Sequence, residues 1–261
     1  MRVYSFGSCD GFPDKLEAPA FLIQYEKELW LVDCPPHINL PLKEAGFSPM
    51  DLTAIFITHL HNDHVGGLID LIQLRMLCFL NQEVMKSAGY FTEVATKRLP
   101  IFIPGDSDGW LEILTKLIGL NCPWQKSWRE HHELFTIAFN GSTRLGGMEI
   151  AWRKTKHHPL CFGYKFSDEI AISGDTMFDP EHLAWMKSAK RKFHELGYGG
   201  EHTKLDEIEE VKLALGDGLC FYHVPYPVQP MILAKGYRLA EKRWYELIGK
   251  AQSLKSKGKS R

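Results

Sequence analysis

From Thr58 to Gly67 the chain reads Thr-His-Leu-His-Asn-Asp-His-Val-Gly-Gly, so four potential metal donors, His59, His61, Asp63 and His64, fall within six residues. The apolar, β-branched run Ala54-Ile55-Phe56-Ile57-Thr58 before it predicts a buried strand. Gly66-Gly67 followed by Leu68-Ile69-Asp70-Leu71-Ile72 predicts a turn feeding a helix. The donors therefore sit on a strand-to-helix loop. On extended backbone His59 and His61 point to the same side and can reach one ion, while Asp63 and His64 come round the turn toward a second position. A polar loop of histidines bonded to one another is the alternative, but His-x-His-x-Asp-His between a buried strand and Gly-Gly has the spacing of ligands. A hard Asp63 oxygen beside imidazoles suits zinc, manganese or iron. The lack of a local cysteine donor argues against a purely structural zinc site.

His59-x-His61-x-Asp63-His64 followed by Gly66-Gly67 resembles the signature of the metallo-β-lactamase superfamily. The resemblance implies a four-layer αββα sandwich with a dinuclear site along one edge of its two sheets, and it implies further ligands far downstream. Asp175 in Gly174-Asp175-Thr176 matches the metal-bridging aspartate, and His223, ending Leu219-Cys220-Phe221-Tyr222, matches the last histidine. Lys156-His157-His158-Pro159 before Gly163-Tyr164 resembles the pattern of the RNase Z and phosphodiesterase branch, with His157 chosen over His158 by its distance to Gly163. The implied first site is His59, His61 and His157, the second Asp63, His64 and His223, with Asp175 shared and room for a bridging hydroxide. Asp33 in Asp33-Cys34 corresponds to an aspartate that orients a ligand histidine or braces the loop, although Pro35-Pro36 departs from the pattern.

Glu201-His202-Thr203 resembles a histidine element that RNase Z-like members use near the leaving group. His202 is accordingly the expected general acid, paired with Glu195 or Glu201, and Asp63 also counts among the catalytic residues. A capping turn with exposed charges is the competing reading of that stretch. The expected enzyme is a hydrolase using two divalent ions, Zn2+ before Mn2+ or Fe, on a small-molecule, nucleotide or RNA phosphodiester. The Gly/Pro-rich arm of tRNA-processing members is not evident, which places a cyclic nucleotide beside RNA as substrate. Alternatives are a thioester or lactone hydrolase of glyoxalase II type and, from another class, a non-catalytic metal-binding module. A homodimer is a further expectation from the resemblance.

Composition limits the rest. With 261 residues and 44% hydrophobic content, one large core is expected, giving a single domain over 1–254 and a basic, disordered tail over 255–261. Thirty-one basic against 32 acidic residues provide no global field for a polyanion. Six scattered cysteines and the absence of a leader before Val3 predict a reducing, cytoplasmic setting, and no apolar run reaches the roughly 20 residues a membrane span needs.

Strands are expected at Arg2–Phe6, Ala20–Tyr25, Glu28–Asp33, Leu99–Pro104, Glu133–Asn140, Met148–Thr155, Cys161–Phe166, Glu169–Ser173 and Leu219–Val224. Asn140-Gly141 is read as a turn. Helices are expected within 37–49, at Leu68–Leu80, Trp110–Leu120 and Lys204–Leu215, the last capped by Thr203, and at Tyr237–Leu254. His37, His131, His132 and His182 are read as surface residues.

Overall fold

The computed structural model describes residues 1–11, 17–89, 98–105, 109, 112, 113, 116 and 128–247. The expected helix at 110–120 and the tail at 255–261 lie largely or wholly outside them. Strands β1 (Arg2–Ser5), β2 (Phe21–Tyr25), β3 (Glu28–Val32), β4 (Ala54–Phe56), β5 (Leu99–Pro104), β6 (His132–Ile137) and β13 (Arg243–Glu246) form one sheet in the order β13-β1-β2-β3-β4-β5-β6. The second sheet runs β12-β11-β10-β9-β8-β7, built from β7 (Gly141–Leu145), β8 (Met148–Lys154), β9 (Phe162–Phe166), β10 (Ile170–Ile172), β11 (Arg191–Glu195) and β12 (Leu219–Tyr222).

Period-2 alternation assigns each side chain to a layer. On the first sheet Phe21, Ile23, Trp30, Val32, Ala54 and Phe56 face the second sheet. There they meet Tyr164, Phe166, Phe193 and Tyr222, with Trp30 stacked on Phe166 at 5.8 Å between ring centres. Their neighbours Leu22, Leu31, Ile55 and Ile57 face outward and are covered by helices Asn39–Glu44 and Leu68–Leu80. The outer face of the second sheet, including Ala171, Leu219 and Phe221, is covered by helices Pro180–Met186 and Ile208–Leu215 through Leu183, Met186, Val211 and Leu215. The result is the expected αββα order.

Strands β3, β4, β5 and β6 are parallel, as are β10, β11 and β12. Their carboxyl ends therefore collect along one edge of the sandwich, the usual location of ligand sites in parallel sheets. Asp33 and Thr58-His59 leave the first sheet there, and Asp175, Glu195 and His223 leave the second. The two edges are joined directly: Phe162 N–H donates to Thr58 O at 2.9 Å, and the Tyr164 hydroxyl donates to Ile57 O at 2.9 Å.

Several expectations need correction. Gly141–Leu145 is an edge strand, and the turn follows it at Gly146-Gly147, where φ is +55 and +85; its Ser-Thr-Arg centre has no apolar face because an edge strand needs none. The helix Pro180–Met186 was not foreseen, although Asp179 caps it through a 3.1 Å bond from Glu181 N–H and Pro180 opens it. Thr203 is not a cap; its hydroxyl donates to Thr176 O, and a short 3-10 turn at Leu205–Glu207 precedes the helix from Ile208. In place of the helix expected from Tyr237, Arg243–Glu246 forms β13, paired antiparallel to β1 from Arg2↔Glu246 to Ser5↔Arg243. His132 and His182 are buried, not superficial. Among the described residues no helix is long and apolar enough to cross a membrane.

Candidate metal centre and active site

The motif loop is fixed before its side chains are considered. After β4 the chain crosses to a one-turn helix, Asn62–Val65, with His61 at its N-cap in extended conformation. Cys34 N–H donates to His64 O at 2.7 Å and Gly67 N–H to Cys34 O at 2.8 Å, holding the loop against the segment after β3. A Cβ at Gly67 would lie 2.1 Å from Pro35 O, so the pairing demands glycine there. Pro35-Pro36 thus packs where the superfamily pattern has smaller residues.

Asp33 organises the buried side of the site. Held at φ +64, it receives Thr58 N–H on Oδ1 at 2.7 Å and the Thr58 hydroxyl at 2.9–3.0 Å, and its Oδ2 lies 2.8 Å from His64 Nδ1. That bond places the proton on Nδ1 and leaves His64 Nε2 free to face the cluster, the usual arrangement behind a metal-binding imidazole. His157 is set the same way, its Nδ1–H donating to Glu201 O at 3.0 Å. Glu201 contributes by its carbonyl; its side chain is exposed. His158 is exposed as well.

Donor atoms of His59, His61, His157 and Asp175 lie within 4.8 Å of one another, and so do those of Asp63, His64 and His223. Asp175 Oδ2 sits between the sets, 3.6 Å from each Nε2 of His59, His64 and His223. His223, like Asp33, is a non-glycine residue at positive φ, +55. Two such residues beside one cluster mark backbone strain of the kind that accumulates at functional sites.

The cluster fits cations. His64 Nε2, His157 Nε2 and Asp175 Oδ1 are buried without a hydrogen-bond partner among the described residues, and each belongs to a donor set. Orphaned buried acceptors are costly unless a ligand completes them. The charge balance agrees. Burial opposes ionisation of Asp63 and Asp175, yet the surrounding imidazoles hold both well below the usual carboxylate range. Burial likewise opposes the charged form of His64, but Asp175 and Asp33 pull its pKa well above the ordinary value. A site whose carboxylates recruit protons onto neighbouring imidazoles will exchange those protons for metal. Imidazole and carboxylate donors do not choose among zinc, manganese and iron.

Glu195, fully buried at the end of β11, faces the cluster from the second sheet. Its Oε1 accepts Thr176 N–H and Thr203 N–H, each at 3.0 Å, and its Oε2 lies 3.3 Å from His202 Nδ1. Burial lowers the His202 pKa, but the bond and charge of Glu195 outweigh it and raise the group to about 9. Of the two carboxylates expected beside His202, Glu195 is the one that pairs. His202 also comes within ligand range of Asp175 and His223, and its Nδ1 is directed to Glu195. His194, on the same strand, is buried with Nδ1 bonded to Glu195 O at 2.7 Å.

Above the cluster opens a cavity of about 540 Å³, lined by Asp10, Gly11, Asn62, Asp63, Tyr198 and Pro225 among others. Asp10 and Gly11 belong to a glycine-rich loop over residues 7–11. It presses directly on the site: a Cβ at Gly11 would stand 2.6 Å from Asp63 Oδ2, and Val224 N–H donates to Ser8 O at 2.7 Å.

A family model described as anti-Pycsar protein Apyc1 matches residues 1–242. The chain belongs to that family. An Apyc1 protein from Paenibacillus sp. (strain J14) is 27% identical over 245 residues, covering 91% of this chain and 89% of the relative. A ribonuclease Z from Exiguobacterium sibiricum is 25% identical over 170 residues, covering 65% of this chain and 50% of that enzyme. The chain therefore spans only half the length of the latter. Among solved structures, this Apyc1-family chain resembles the metallo-β-lactamase fold protein YhfI from Bacillus subtilis, with a TM-score of 0.71 at 19% identity over 94% of this chain and 99% of that one. Human tRNase Z, short form, gives 0.66 at 18% identity over 95% and 100%. These likenesses show that this Apyc1-family member has the metallo-β-lactamase fold.

Proposed function

We propose that the chain is a dinuclear metal-dependent phosphodiesterase acting on a small nucleotide phosphodiester, best a cyclic nucleotide. The observation that carries this reading is the position of Asp175 Oδ2, 3.6 Å from a histidine of each donor set and thus suited to join two ions. His59, His61, His157 and Asp175 would hold one cation, and Asp63, His64, His223 and Asp175 the other. When bound, such a pair supplies Lewis acidity toward a phosphoryl oxygen and acidifies water for attack.

The chain's own groups supply the rest. His202, protonated at neutral pH and held by Glu195, donates to the departing oxygen. Asp33 and the Glu201 carbonyl keep His64 and His157 turned inward. A cavity of about 540 Å³ falls within the range of roughly 300–1,000 Å³ typical of small-ligand sites, and the near balance of acidic and basic residues argues against capture of a large polyanion. The family model over residues 1–242 and the Apyc1 relative, matched along 89% of its length, support the small substrate.

The test is turnover of 3′,5′-cyclic nucleotides, bis(p-nitrophenyl) phosphate, a precursor tRNA and a thioester by metal-reconstituted protein. Cleavage of the cyclic nucleotides and the activated diester is expected; cleavage confined to the thioester or the tRNA contradicts the reading.

A further inference from the structure

Most residues lining the cavity over the donor cluster are polar or charged, Asp10, His61, Asn62, Asp63, Asp175, His202 and His223 among them. Tyr198 and Pro225 supply its large apolar surfaces. Tyr198 is 59% exposed and has no ring or hydrogen-bond partner among the described residues, an unusual state for a large aromatic beside buried charges. Its loop explains how it is presented. Gly197 N–H donates to Thr203 O at 3.2 Å, and a Cβ at Gly197 would lie 2.7 Å from His202 Cγ, so the backbone is packed directly on the catalytic imidazole. On the other side Gly199, at φ +94, and Gly200 have open space around them. Tyr198 is anchored at one end and free to adjust at the other.

We infer that Tyr198 is a specificity residue, the platform on which the nucleobase of the substrate stacks while its phosphodiester lies over the donor cluster. This deepens the phosphodiesterase reading and rests on it. Every base offers a π face, so a stacking platform accepts purines and pyrimidines alike, and its removal costs several-fold to a hundredfold in binding. Pro225, leaving His223-Val224 on the same cavity, provides a second apolar surface for a planar group. No side chain reaching a base edge is required. The site thus selects a nucleoside phosphodiester over a base-free one without choosing the base strongly.

The experiment compares 3′,5′-cyclic AMP and 3′,5′-cyclic UMP with a base-free diester, 1,2-dideoxyribose 3′,5′-cyclic phosphate, for metal-loaded wild type, Tyr198→Ala and Tyr198→Phe. The ratio of kcat/KM for nucleotide over base-free diester is expected to fall about tenfold in Tyr198→Ala for both bases, chiefly through KM, and to recover in Tyr198→Phe. An unchanged ratio in Tyr198→Ala, or no recovery with phenylalanine, overturns the inference while leaving the phosphodiesterase reading intact. Failure of the wild type to cleave any cyclic diester overturns both.

Discussion

Asp33 shows how much of the site depends on a residue that need not touch an ion. It stands at positive φ, accepts the N–H of Thr58 and its hydroxyl, the latter shared between both carboxylate oxygens, and turns His64 inward. Asp33→Asn should therefore weaken metal affinity by roughly 10–100-fold with little loss of fold, as read by competition with a chelator. Glu195 has a comparable hold on His202. If His202 is the acid proposed above, activity should fall as pH rises through about 9. Glu195→Gln should move that alkaline limb of the kcat profile down toward the ordinary imidazole range, and an unmoved limb would remove His202 from the role of acid. At this scale the motif histidines were plain in the sequence because their spacing is local. The choice of Glu195 over Glu201 was not, since it depends on which side of the sheet edge each carboxylate faces.

Elements were legible where periodicity was strong and obscure where pairing decided. Leu68–Leu80 was readable from its apolar run, and β2–β3 from alternation around Glu26-Lys27. β13 and β7 were not, because an exposed edge strand carries little pattern and an amphipathic run such as Tyr237 onward suits a helix equally well until β1 offers it a partner. His132 illustrates the same limit. Its burial follows from contact with helix Leu68–Leu80, where Arg75 Nε donates to His132 Nε2 at 3.2 Å while His132 Nδ1–H donates to Trp128 O. Burial and the neighbouring Arg75 guanidinium lower its pKa to about 3. The unfolded chain takes up a proton below about pH 6.5 and the folded one does not until about 3, so stability declines as pH falls across that window. His132→Gln, able to keep both hydrogen bonds, should lose less stability than wild type between pH 7 and pH 4 in urea titrations; equal losses would contradict the assignment.

The whole molecule is two sheets whose parallel strands end together. Their mutual packing, with Trp30 stacked on Phe166 and Phe56 edge-on to Tyr164, sets the distance across which donors from both sheets meet. Trp30→Ala should cost about 3–5 kcal/mol by opening a cavity between the sheets, seen as a lowered urea midpoint. The sandwich and its metal edge were readable because the family signature spans both halves of the chain. The cavity rim was not, since Gly11, Tyr198 and Pro225 carry no motif and meet only through folding. The proposed catalysis rests on the junction of the two donor sets, and that claim can be measured directly. Metal content and cyclic-nucleotide turnover should be determined together for wild type and Asp63→Ala. Two ions per chain with turnover in the wild type, and fewer ions with turnover lost in Asp63→Ala, is the predicted result; a variant that keeps wild-type metal content and turnover would contradict the dinuclear account.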